Sequence, residues 1–439
     1  MSNSSRMTKN QKVRFSNGKV LTITQKLGEG GQGTVYMGVD KNTGEKYAVK
    51  CPFPDKYSDI KKHYDYIENQ IRTGPPAKVF TWPLFMSEWM NGTFAYAMNL
   101  IPKDYKCLSN YIMAKVRFKN LDVMIDSCIR IVEAFRLLHN AGYSYQDLNE
   151  ENLFINPNTG EIIICDTENV MGQGHYSGVR GKARYMAPEV VRGEAMPNKE
   201  TDKFSMALIL FMIMVGDHPL EGARTNVPCL TSKYDMRFFG KEPLFCFDKN
   251  DDSNMPREGI HNNAINIWNC IPKYIKEAFE KSFSQDSLLR AEGRLQEQEW
   301  IHLLMRLKSS ITKCPICGND VFVDCHDSYC DACGKTIIAP GYLKFKSRTG
   351  MDILVPIYQD TRLFDYHLNY DSSDYFTVKA NVMAKPGKYG LLNKSGEDWQ
   401  ISSADGSRKS IRRNKEIAVL GSGFVFDFGN GNIAEVINN

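Results

Sequence analysis

The feature that most constrains this chain of 439 residues is a polar loop followed by two short apolar runs. Asp147 and Asn152 stand five residues apart, and the second apolar run, 162–165, leads into Asp166. A turn over 156–160, rich in Asn, Pro and Gly, would join the runs as paired strands and gather these polar groups. Asp and Asn also cluster in ordinary turns. Together, however, the three side chains could accept a hydroxyl proton and supply the oxygen ligands that Mg²⁺ prefers.

A glycine-rich stretch precedes this loop. Residues 28–33 carry the G-x-G-x-x-G spacing, which lets a backbone approach phosphate groups closely. The same spacing occurs in dinucleotide-binding turns, where a helix follows the last glycine, and in plain hairpins. Here β-forming residues follow, and Lys50 comes fifteen residues after Val35 in the segment Ala-Val-Lys. The pattern favours antiparallel strands over residues 11–50, with a phosphate-binding turn between two of them.

In this order, the glycine-rich stretch, Lys50 and the polar loop resemble the eukaryotic-like, bacterial-type Ser/Thr protein kinases. The resemblance implies an α+β, two-lobed protein-kinase fold and transfer of the γ-phosphate of ATP to protein hydroxyls. It implies that Asp147 is the catalytic base and that Lys50 holds the ATP phosphates. Asn152 and Asp166 are the implied magnesium ligands.

The resemblance also names a partner for Lys50. Residues 55–72 are charged with helical spacing, and Glu68, eighteen residues after Lys50, is the implied ion-pair partner. Asp65 and Asp59 are alternatives, and a solvated helix face is the structural alternative for all three.

Other positions of the small lobe are expected to contact the nucleotide. By resemblance these positions are Gly28, Gly30, Gly33, Val35, Met98, Asn99 and Leu100. Met98 would be the gatekeeper beside adenine, and Asn99 and Leu100 would offer backbone groups to it. The alternative for these three residues is a core strand with no ligand role.

Further motifs follow in the order of the family's large lobe. Residues 121–139 have helical periodicity, and Met171–Arg184 is the expected activation segment. An APE-like motif ends that segment at Glu189. Arg294 is the implied ion-pair partner of Glu189, and Arg290 is the second candidate.

Three departures from the family pattern concern regulation more than chemistry. Gln146 replaces an arginine, so a phosphorylated activation segment would lack its usual cation. The DFG motif is Asp166-Thr167-Glu168, which weakens an apolar stack on the helix and adds a second carboxylate beside the metal site. Because the four main catalytic and ligand residues remain, an active kinase is favoured. The alternative is a pseudokinase scaffold that binds nucleotide and recruits partners.

The third departure concerns a cation. A lysine usually follows the catalytic Asp by two residues, but this position is Asn149. A threonine usually precedes the APE motif, and its position is Lys182. We expect that the cation has moved, so that Lys182 reaches the transferred phosphate and acts as a catalytic residue. The alternative is a solvated loop lysine.

A pair of C-x-x-C-G knuckles follows the kinase-like region. The four thiols are Cys314, Cys317, Cys330 and Cys333. Four thiolates on two turns fit tetrahedral zinc, and the pattern resembles a zinc ribbon. Cys325 and His326 lie between the pairs and are alternative ligands.

The last part of the chain is rich in β-forming residues and turns. It is expected to form an all-β interaction domain, either a barrel or a sandwich. Two stretches, 390–394 and 418–428, are faintly similar to the later strands of forkhead-associated domains, but the Ser-x-x-His that binds phosphothreonine there is absent. The expected domains are an N-terminal tail or first strand over 1–19, a kinase domain over 20–308 with its small lobe to about 100, a zinc ribbon over 309–342 and the β domain over 343–439.

Composition narrows the expected setting. A formal charge of +4 is weak for this length, and the loop between the cysteine pairs is acidic, so a nucleic-acid partner is not favoured. The start lacks an apolar signal sequence, and the longest apolar stretch, 206–215, is too short to span a bilayer. We therefore expect a cytoplasmic protein. The architecture resembles bacterial kinases encoded beside a protein phosphatase and a von Willebrand-type protein, which are the implied partners.

Overall fold

The computed structural model of the chain describes residues 6–172, 181–227, 231–326, 328–346, 352–369, 371–412, 416–429 and 432–438. These residues form a small sheet-rich lobe, a larger helical lobe and a β-rich end, so the predicted α+β class is confirmed. Among the described residues, no helix combines the length and apolar character needed to cross a membrane.

The small lobe is built on one antiparallel sheet. Its strands are β1 Lys12–Arg14, β2 Val20–Glu29, β3 Gly33–Asp40, β4 Lys46–Pro52, β5 Phe85–Met86 and β6 Tyr96–Asn99. They are ordered β1-β2-β3-β4-β6-β5, and the hairpin of β2 and β3 carries the glycine-rich stretch at its end. The antiparallel strands predicted over residues 11–50 are thus confirmed.

Helix α1, Ile60–Thr73, follows β4 in the chain. Its first turn is capped by Asp59, whose carboxylate accepts hydrogen bonds from the backbone N–H groups of Lys61 and Lys62. His63, Ile67 and Gln70 are its buried residues. Their spacing of four and three residues defines one inward face of the helix.

The large lobe contains nine α-helices and five short strands within the described ranges. They are β7 Lys106–Cys107, α2 Leu108–Ile112, α3 Leu121–Asn140, β8 Tyr143–Tyr145, β9 Leu153–Ile155, β10 Ile162–Ile164, β11 Val170–Gly172, α4 Pro188–Val191, α5 Lys199–Val215, α6 Ser232–Asp235, α7 Asn262–Cys270, α8 Lys273–Ser282, α9 Gln285–Arg290 and α10 Glu297–Ser309. Helix α5 is buried from Thr201 to Val215, which explains its continuous apolar sequence.

The hairpin of β9 and β10 positions the polar loop. Ile155 pairs with Ile162, and the turn between them ends at Gly160, whose φ is +68°. A Cβ at Gly160 would lie 2.5 Å from the carbonyl oxygen of Val123 on α3, so only glycine fits there. The turn therefore packs tightly on α3, and the two ends of the hairpin, which carry Asn152 and Asp166, lie side by side.

The β-rich end begins with a small hairpin, β12 Ile311–Lys313 and β13 Asp320–Phe322, followed by two larger sheets. The six-stranded sheet has the order β15-β14-β23-β22-β19-β20, and the four-stranded sheet has the order β16-β17-β18-β21. Their strands are β14 Gly341–Phe345, β15 Ile353–Pro356, β16 Arg362–Phe364, β17 Val378–Lys385, β18 Lys388–Asn393, β19 Trp399–Ser402, β20 Arg408–Ile411, β21 Ile417–Val419, β22 Val425–Asp427 and β23 Ile433–Asn438.

These two sheets share one core, which makes a sandwich rather than a barrel. The all-β prediction needs one correction, because a short helix, α11 Asp365–Leu368, lies between β16 and β17. Tyr366, His367 and Leu368 of α11 are buried, so this turn fills the core instead of forming an exposed loop.

The sandwich packs against α3 and α10 of the large lobe, with which it shares a continuous apolar core. Lys308 on α10 lies 2.7 Å from Asp126 on α3 and donates to the backbone oxygen of Tyr375 in the sandwich. Arg362 on β16 pairs with Asp122 on α3. These contacts fix the sandwich to the large lobe.

Candidate active site

The polar loop after β8 holds one carboxylate with two amides. The side-chain nitrogen of Asn149 donates to Oδ1 of Asp147 at 3.1 Å, and the side-chain nitrogen of Asn152 donates to the backbone oxygen of Asp147 at 2.9 Å. Burial raises the pKa of Asp147 to about 6, against the hydrogen bonds from these amides. The pKa of Asp147 therefore lies closer to neutral pH than that of an ordinary aspartate, as suits a group that accepts a proton.

Asp166 stands beside this loop at the end of β10. The backbone N–H of Cys165 donates to the oxygen of Asn152 at 2.9 Å, which brings Asp166 next to Asn152. Asp166 has φ of +55°, a left-handed conformation that is costly for a residue other than glycine. Because the amide nitrogen of Asn152 is used in the loop, its amide oxygen and the carboxylate of Asp166 are the groups that could bind magnesium.

Lys50 on β4 enters the same site from the small lobe. Its Nζ lies 2.6 Å from Oε1 of Glu168 and 3.1 Å from Oδ1 of Asp166. Burial disfavours the charged lysine, but these two carboxylates outweigh it and raise the pKa of Lys50. Lys50 is thus a buried, charged ammonium group directed at the magnesium-binding end of the loop.

The prediction that Glu68 pairs with Lys50 is wrong. Glu68 is exposed on α1, one position away from the inward face formed by His63, Ile67 and Gln70. A shift of one residue rotates a side chain by about 100° around a helix, so Glu68 points to solvent. The ion-pair partner that sequence analysis missed is Glu168.

Glu168 also does not act as a free second carboxylate at the metal site. Its side chain is 1% exposed, and Oε2 accepts a hydrogen bond of 2.7 Å from the hydroxyl of Tyr96. Burial works against its ionisation, but Lys50 and His63 lower the pKa of Glu168.

Thr167, next to Glu168, is held by polar contacts. Its hydroxyl donates to the backbone oxygen of Thr81, and its backbone oxygen accepts a hydrogen bond from the side chain of Gln70. These hydrogen bonds replace the apolar stack on the helix that Thr167 was expected to weaken.

The glycine-rich stretch lies between the end of β2 and the start of β3. A Cβ at Gly28 or Gly30 would meet open space, which leaves room for a ligand to approach the backbone. Gly33 has a different reason: a Cβ there would lie 2.6 Å from the carbonyl oxygen of Cys51 on β4. The pattern expected for phosphate binding is thus partly a requirement of sheet packing.

The residues expected around adenine share one apolar cluster. Ala48 on β4 pairs across the sheet with Met98 on β6, and both are buried. Val35 and Leu100 pack partly buried against the same cluster. Asn99 is exposed at the end of β6. The structure therefore brings the predicted gatekeeper and wall residues together, with Asn99 at the rim.

Two buried clusters of charged side chains fix the segments next to the polar loop. The guanidinium of Arg294 forms a two-pronged ion pair with Glu189, at 2.8 and 2.9 Å, which confirms the predicted partner. Asp202 on α5 accepts hydrogen bonds from the backbone N–H of Tyr145 at 2.7 Å and from Nε2 of His139 at 3.0 Å. These bonds fix the end of β8, where the polar loop begins, to helix α5.

Lys182 lies beside the polar loop. Its Nζ is 3.0 Å from Glu150 and 2.8 Å from Glu151, and its side chain is 43% exposed. The lysine is close enough to Asp147 to oppose the rise in the pKa of that carboxyl. Most of the activation segment before Lys182 falls in residues 173–180, outside the described residues.

The four cysteines of the two knuckles converge. Sγ of Cys314 lies 3.6 Å from that of Cys333, and Sγ of Cys317 lies 3.4 Å from that of Cys330. All four sulfurs are within 4.8 Å of one another. Zinc–thiolate bonds of about 2.3 Å in a tetrahedron place sulfurs about 3.8 Å apart, so the cluster fits zinc. Cys325 and His326 are not part of the cluster.

The glycines after each knuckle have the backbone conformation that a tight metal turn needs. Gly318 has φ of +74° and Gly334 has φ of +69°. Their backbone N–H groups donate to the backbone oxygens of Cys314 and Cys330 at 2.9 and 2.8 Å. These glycines therefore allow the two tight turns that carry the cysteines.

The sequence was compared with models of known protein families and with known proteins. Residues 21–237 match the family model of the protein kinase domain. Residues 21–237 are thus similar to a protein kinase domain, and the relatives that match this chain at low identity include Ser/Thr-protein kinases.

Three of these relatives show the range of similarity. The Ser/Thr-protein kinase dkf-2 of Caenorhabditis briggsae is 26% identical over 202 residues, which cover 44% of this chain and 16% of that protein. The maternal embryonic leucine zipper kinase of Xenopus tropicalis is 25% identical over 240 residues, covering 50% and 34%. The human protein kinase C delta type is 25% identical over 201 residues, covering 45% and 29%. This chain spans at most about a third of the length of these three relatives.

Proposed function

We propose that this chain is a Ser/Thr protein kinase that transfers the γ-phosphate of ATP to protein hydroxyls with the help of magnesium. The observation that carries the proposal is the meeting of Asp147, Asn152 and Lys50 around Asp166. A half-buried carboxylate held by amides, next to two oxygen ligands and a fixed cation, matches the needs of phosphoryl transfer.

Each residue has a separate task in this proposal. Asp147 accepts the proton of the substrate hydroxyl, and the amides of Asn149 and Asn152 donate to its Oδ1 and Oδ2 at 3.1 and 3.4 Å, which keeps the carboxylate in one orientation. Lys50 holds the phosphates against the small lobe, while Asn152 and Asp166 hold the metal. Bound magnesium would neutralise charge on the phosphates. Catalysis then rests on positioning and electrostatics.

Lys182 is proposed as the second cation. Its ammonium lies near Asp147, where a cation would neutralise charge on the transferred phosphate, and Glu150 and Glu151 hold it there. A shift of the side chain from these glutamates towards bound phosphate is part of the proposal, because the lysine is 43% exposed.

The rest of the chain is proposed to recruit partners. Cys314, Cys317, Cys330 and Cys333 would hold a structural zinc ion with no open position. The ribbon and the sandwich would present surfaces to other proteins. A phosphatase and a von Willebrand-type protein are the partners that the resemblance suggests.

Phosphotransfer by the purified full chain tests this function. Wild type, Asp147→Asn and the exposed control Asp55→Asn are incubated with a mixture of protein substrates, labelled ATP and magnesium, and phosphosites are mapped by mass spectrometry. Asp55 is 77% exposed, so its variant should match wild type. We expect phosphoserine and phosphothreonine from wild type and a loss of about 10³-fold in Asp147→Asn. Nucleotide binding without transfer by wild type would instead support the pseudokinase scaffold.

A further inference from the structure

Lys50 has its ion-pair partner in an unexpected part of the chain. Glu168 belongs to the segment after β10, two residues beyond Asp166. Its carboxylate is 1% exposed and contacts Lys50 at 2.6 Å and Tyr96 at 2.7 Å. Nε2 of His63 on α1 lies 3.7 Å from the same carboxylate. Glu168 is therefore enclosed by β4, β6 and α1.

Helix α1 supplies no carboxylate to this cluster. Its acidic residues, Asp65 and Glu68, are both exposed. Its inward face consists of His63, Ile67 and Gln70, none of which can balance the charge of Lys50 as an anion. Within the described part of the chain, both carboxylates that pair with Lys50 thus come from the segment that carries Asp166.

We propose that Glu168 is the residue that positions Lys50 for nucleotide binding, a task that other protein kinases give to a glutamate of the helix. This inference rests on the proposed function. A protein kinase needs the strand lysine to be held by a carboxylate, and that pair is broken when the helix moves away. Here neither carboxylate that pairs with Lys50 belongs to α1, so the pair does not depend on a glutamate of that helix.

The geometry also gives Glu168 a protective role towards Asp166. Oδ1 of Asp166 is already 3.1 Å from Lys50. Without Glu168, Asp166 would be the one carboxylate left beside the ammonium, and a carboxylate held by lysine is less available to magnesium. Because Glu168 makes the shorter contact with Lys50, it leaves Asp166 more available to the metal.

Helix α1 is attached by hydrogen bonds to the segment that carries Glu168. The side-chain nitrogen of Gln70 donates to the backbone oxygen of Thr167 at 2.8 Å, and the hydroxyl of Tyr66 donates to the backbone oxygen of Val170. Both bonds join the inward side of the helix to the backbone on either side of Glu168. The segment 166–170 is therefore the common anchor of Lys50, of the metal-binding Asp166 and of the helix.

Four variants of the full chain test the inference. Glu168→Gln removes the carboxylate and keeps the shape, whereas Glu68→Gln does the same at the expected helix position. Glu168→Gln combined with His63→Glu restores a carboxylate from the inward face of α1, at the position whose native Nε2 lies 3.7 Å from Glu168. Tyr96→Phe removes only the hydroxyl that orients Glu168. For each protein, kcat, KM for ATP, the Kd of Mg-ATP and the unfolding temperature are measured.

We expect Glu168→Gln to lower kcat/KM for ATP roughly 10²-fold and to weaken Mg-ATP binding, because a misplaced lysine no longer meets the phosphates. Glu68→Gln should stay within about threefold of wild type, since exposed carboxylates contribute little. The His63→Glu exchange should recover at least about tenfold of the loss, which a merely structural role would not do. Tyr96→Phe should raise KM several-fold, because Glu168 loses one hydrogen bond that orients its carboxylate.

Two results would overturn the inference: Glu168→Gln with a wild-type Kd and kcat/KM, or Glu68→Gln as damaging as Glu168→Gln. If Glu168→Gln does not fold, Tyr96→Phe decides, and an unchanged KM and Kd would count against it. A wild type that binds Mg-ATP but transfers nothing would refute the proposed kinase activity alone, because the Kd values would still test the positioning of Lys50.

Discussion

Arg294 and Glu189 form an ion pair in which Nη1 and Nη2 of the guanidinium donate to the two carboxylate oxygens, at 2.8 and 2.9 Å. The arginine side chain is 2% exposed and the glutamate 12%. The pair joins the end of the activation segment to the turn before α10. It therefore ties the region around Lys182 to the rest of the large lobe.

The first prediction concerns this pair. Arg294→Ala leaves a buried carboxylate without its counter-charge, so it should lower the free energy of unfolding by roughly 3–5 kcal/mol. The neighbouring Arg290 forms an exposed pair with Asp286, and Arg290→Ala should cost less than about 1 kcal/mol. Urea unfolding of both variants measures the difference. Equal losses in the two variants would show that the buried pair has no special weight.

The second prediction concerns the cysteine cluster. Metal analysis of freshly purified protein should find about one zinc per chain, bound by four thiolates. Cys330→Ser should lose the metal and unfold the ribbon, because zinc binding supplies folding energy. Cys325→Ser is the matched control, since that thiol is buried nearby but lies outside the cluster, and it should keep the zinc. Wild type without zinc would contradict the prediction.

The third prediction is a pH dependence of stability. His139 lies between Asp202 on α5 and Glu297 on α10, with Lys199 on its backbone oxygen. Burial alone would lower the pKa of His139, but the two carboxylates outweigh it and raise the pKa to about 8. A raised folded-state pKa stabilises the fold fully below the ordinary value of 6.5 and loses this effect as the pH rises through about 8.

Thermal unfolding of wild type and His139→Gln between about pH 6 and pH 9 measures this effect. The advantage of wild type over the variant should be largest at the acidic end and shrink through about pH 8. An advantage that grows with pH would mean that His139 is neutral in the folded protein.

The fourth prediction addresses Lys182. If its ammonium neutralises the transferred phosphate, Lys182→Ala should lower kcat about 10²-fold or more. The double exchange Asn149→Lys with Lys182→Thr should recover much of that loss. Lys249→Ala is a control, because Lys249 is 64% exposed and pairs with Glu280 away from the site. A kcat near wild type in Lys182→Ala would leave Lys182 as a partner of Glu150 and Glu151 only.

The polar loop could be predicted from sequence because its parts are close along the chain. Asp147, Asn152 and Asp166 lie within twenty residues, and one hairpin between them fixes their geometry. The two cysteine knuckles are local in the same sense. Short-range patterns of this kind leave few alternative arrangements.

The partner of Lys50 could not be found in this way, because it depends on the rotation of a helix and on contacts between residues 118 positions apart. A usable signal did exist. His63, Ile67 and Gln70 have the spacing of an inward helix face, and Glu68 falls off that face. Helix α11 was missed because four residues are too few for a periodic pattern.

The most direct test of the account separates nucleotide binding from phosphate transfer in one variant. Asp147→Asn keeps the size of the side chain but cannot accept a proton, while Lys50, Asn152 and Asp166 remain to bind Mg-ATP. We predict a Kd for Mg-ATP within about threefold of wild type and single-turnover transfer slower by about 10³-fold. Transfer at the wild-type rate by Asp147→Asn would contradict the assignment of this loop as the catalytic centre.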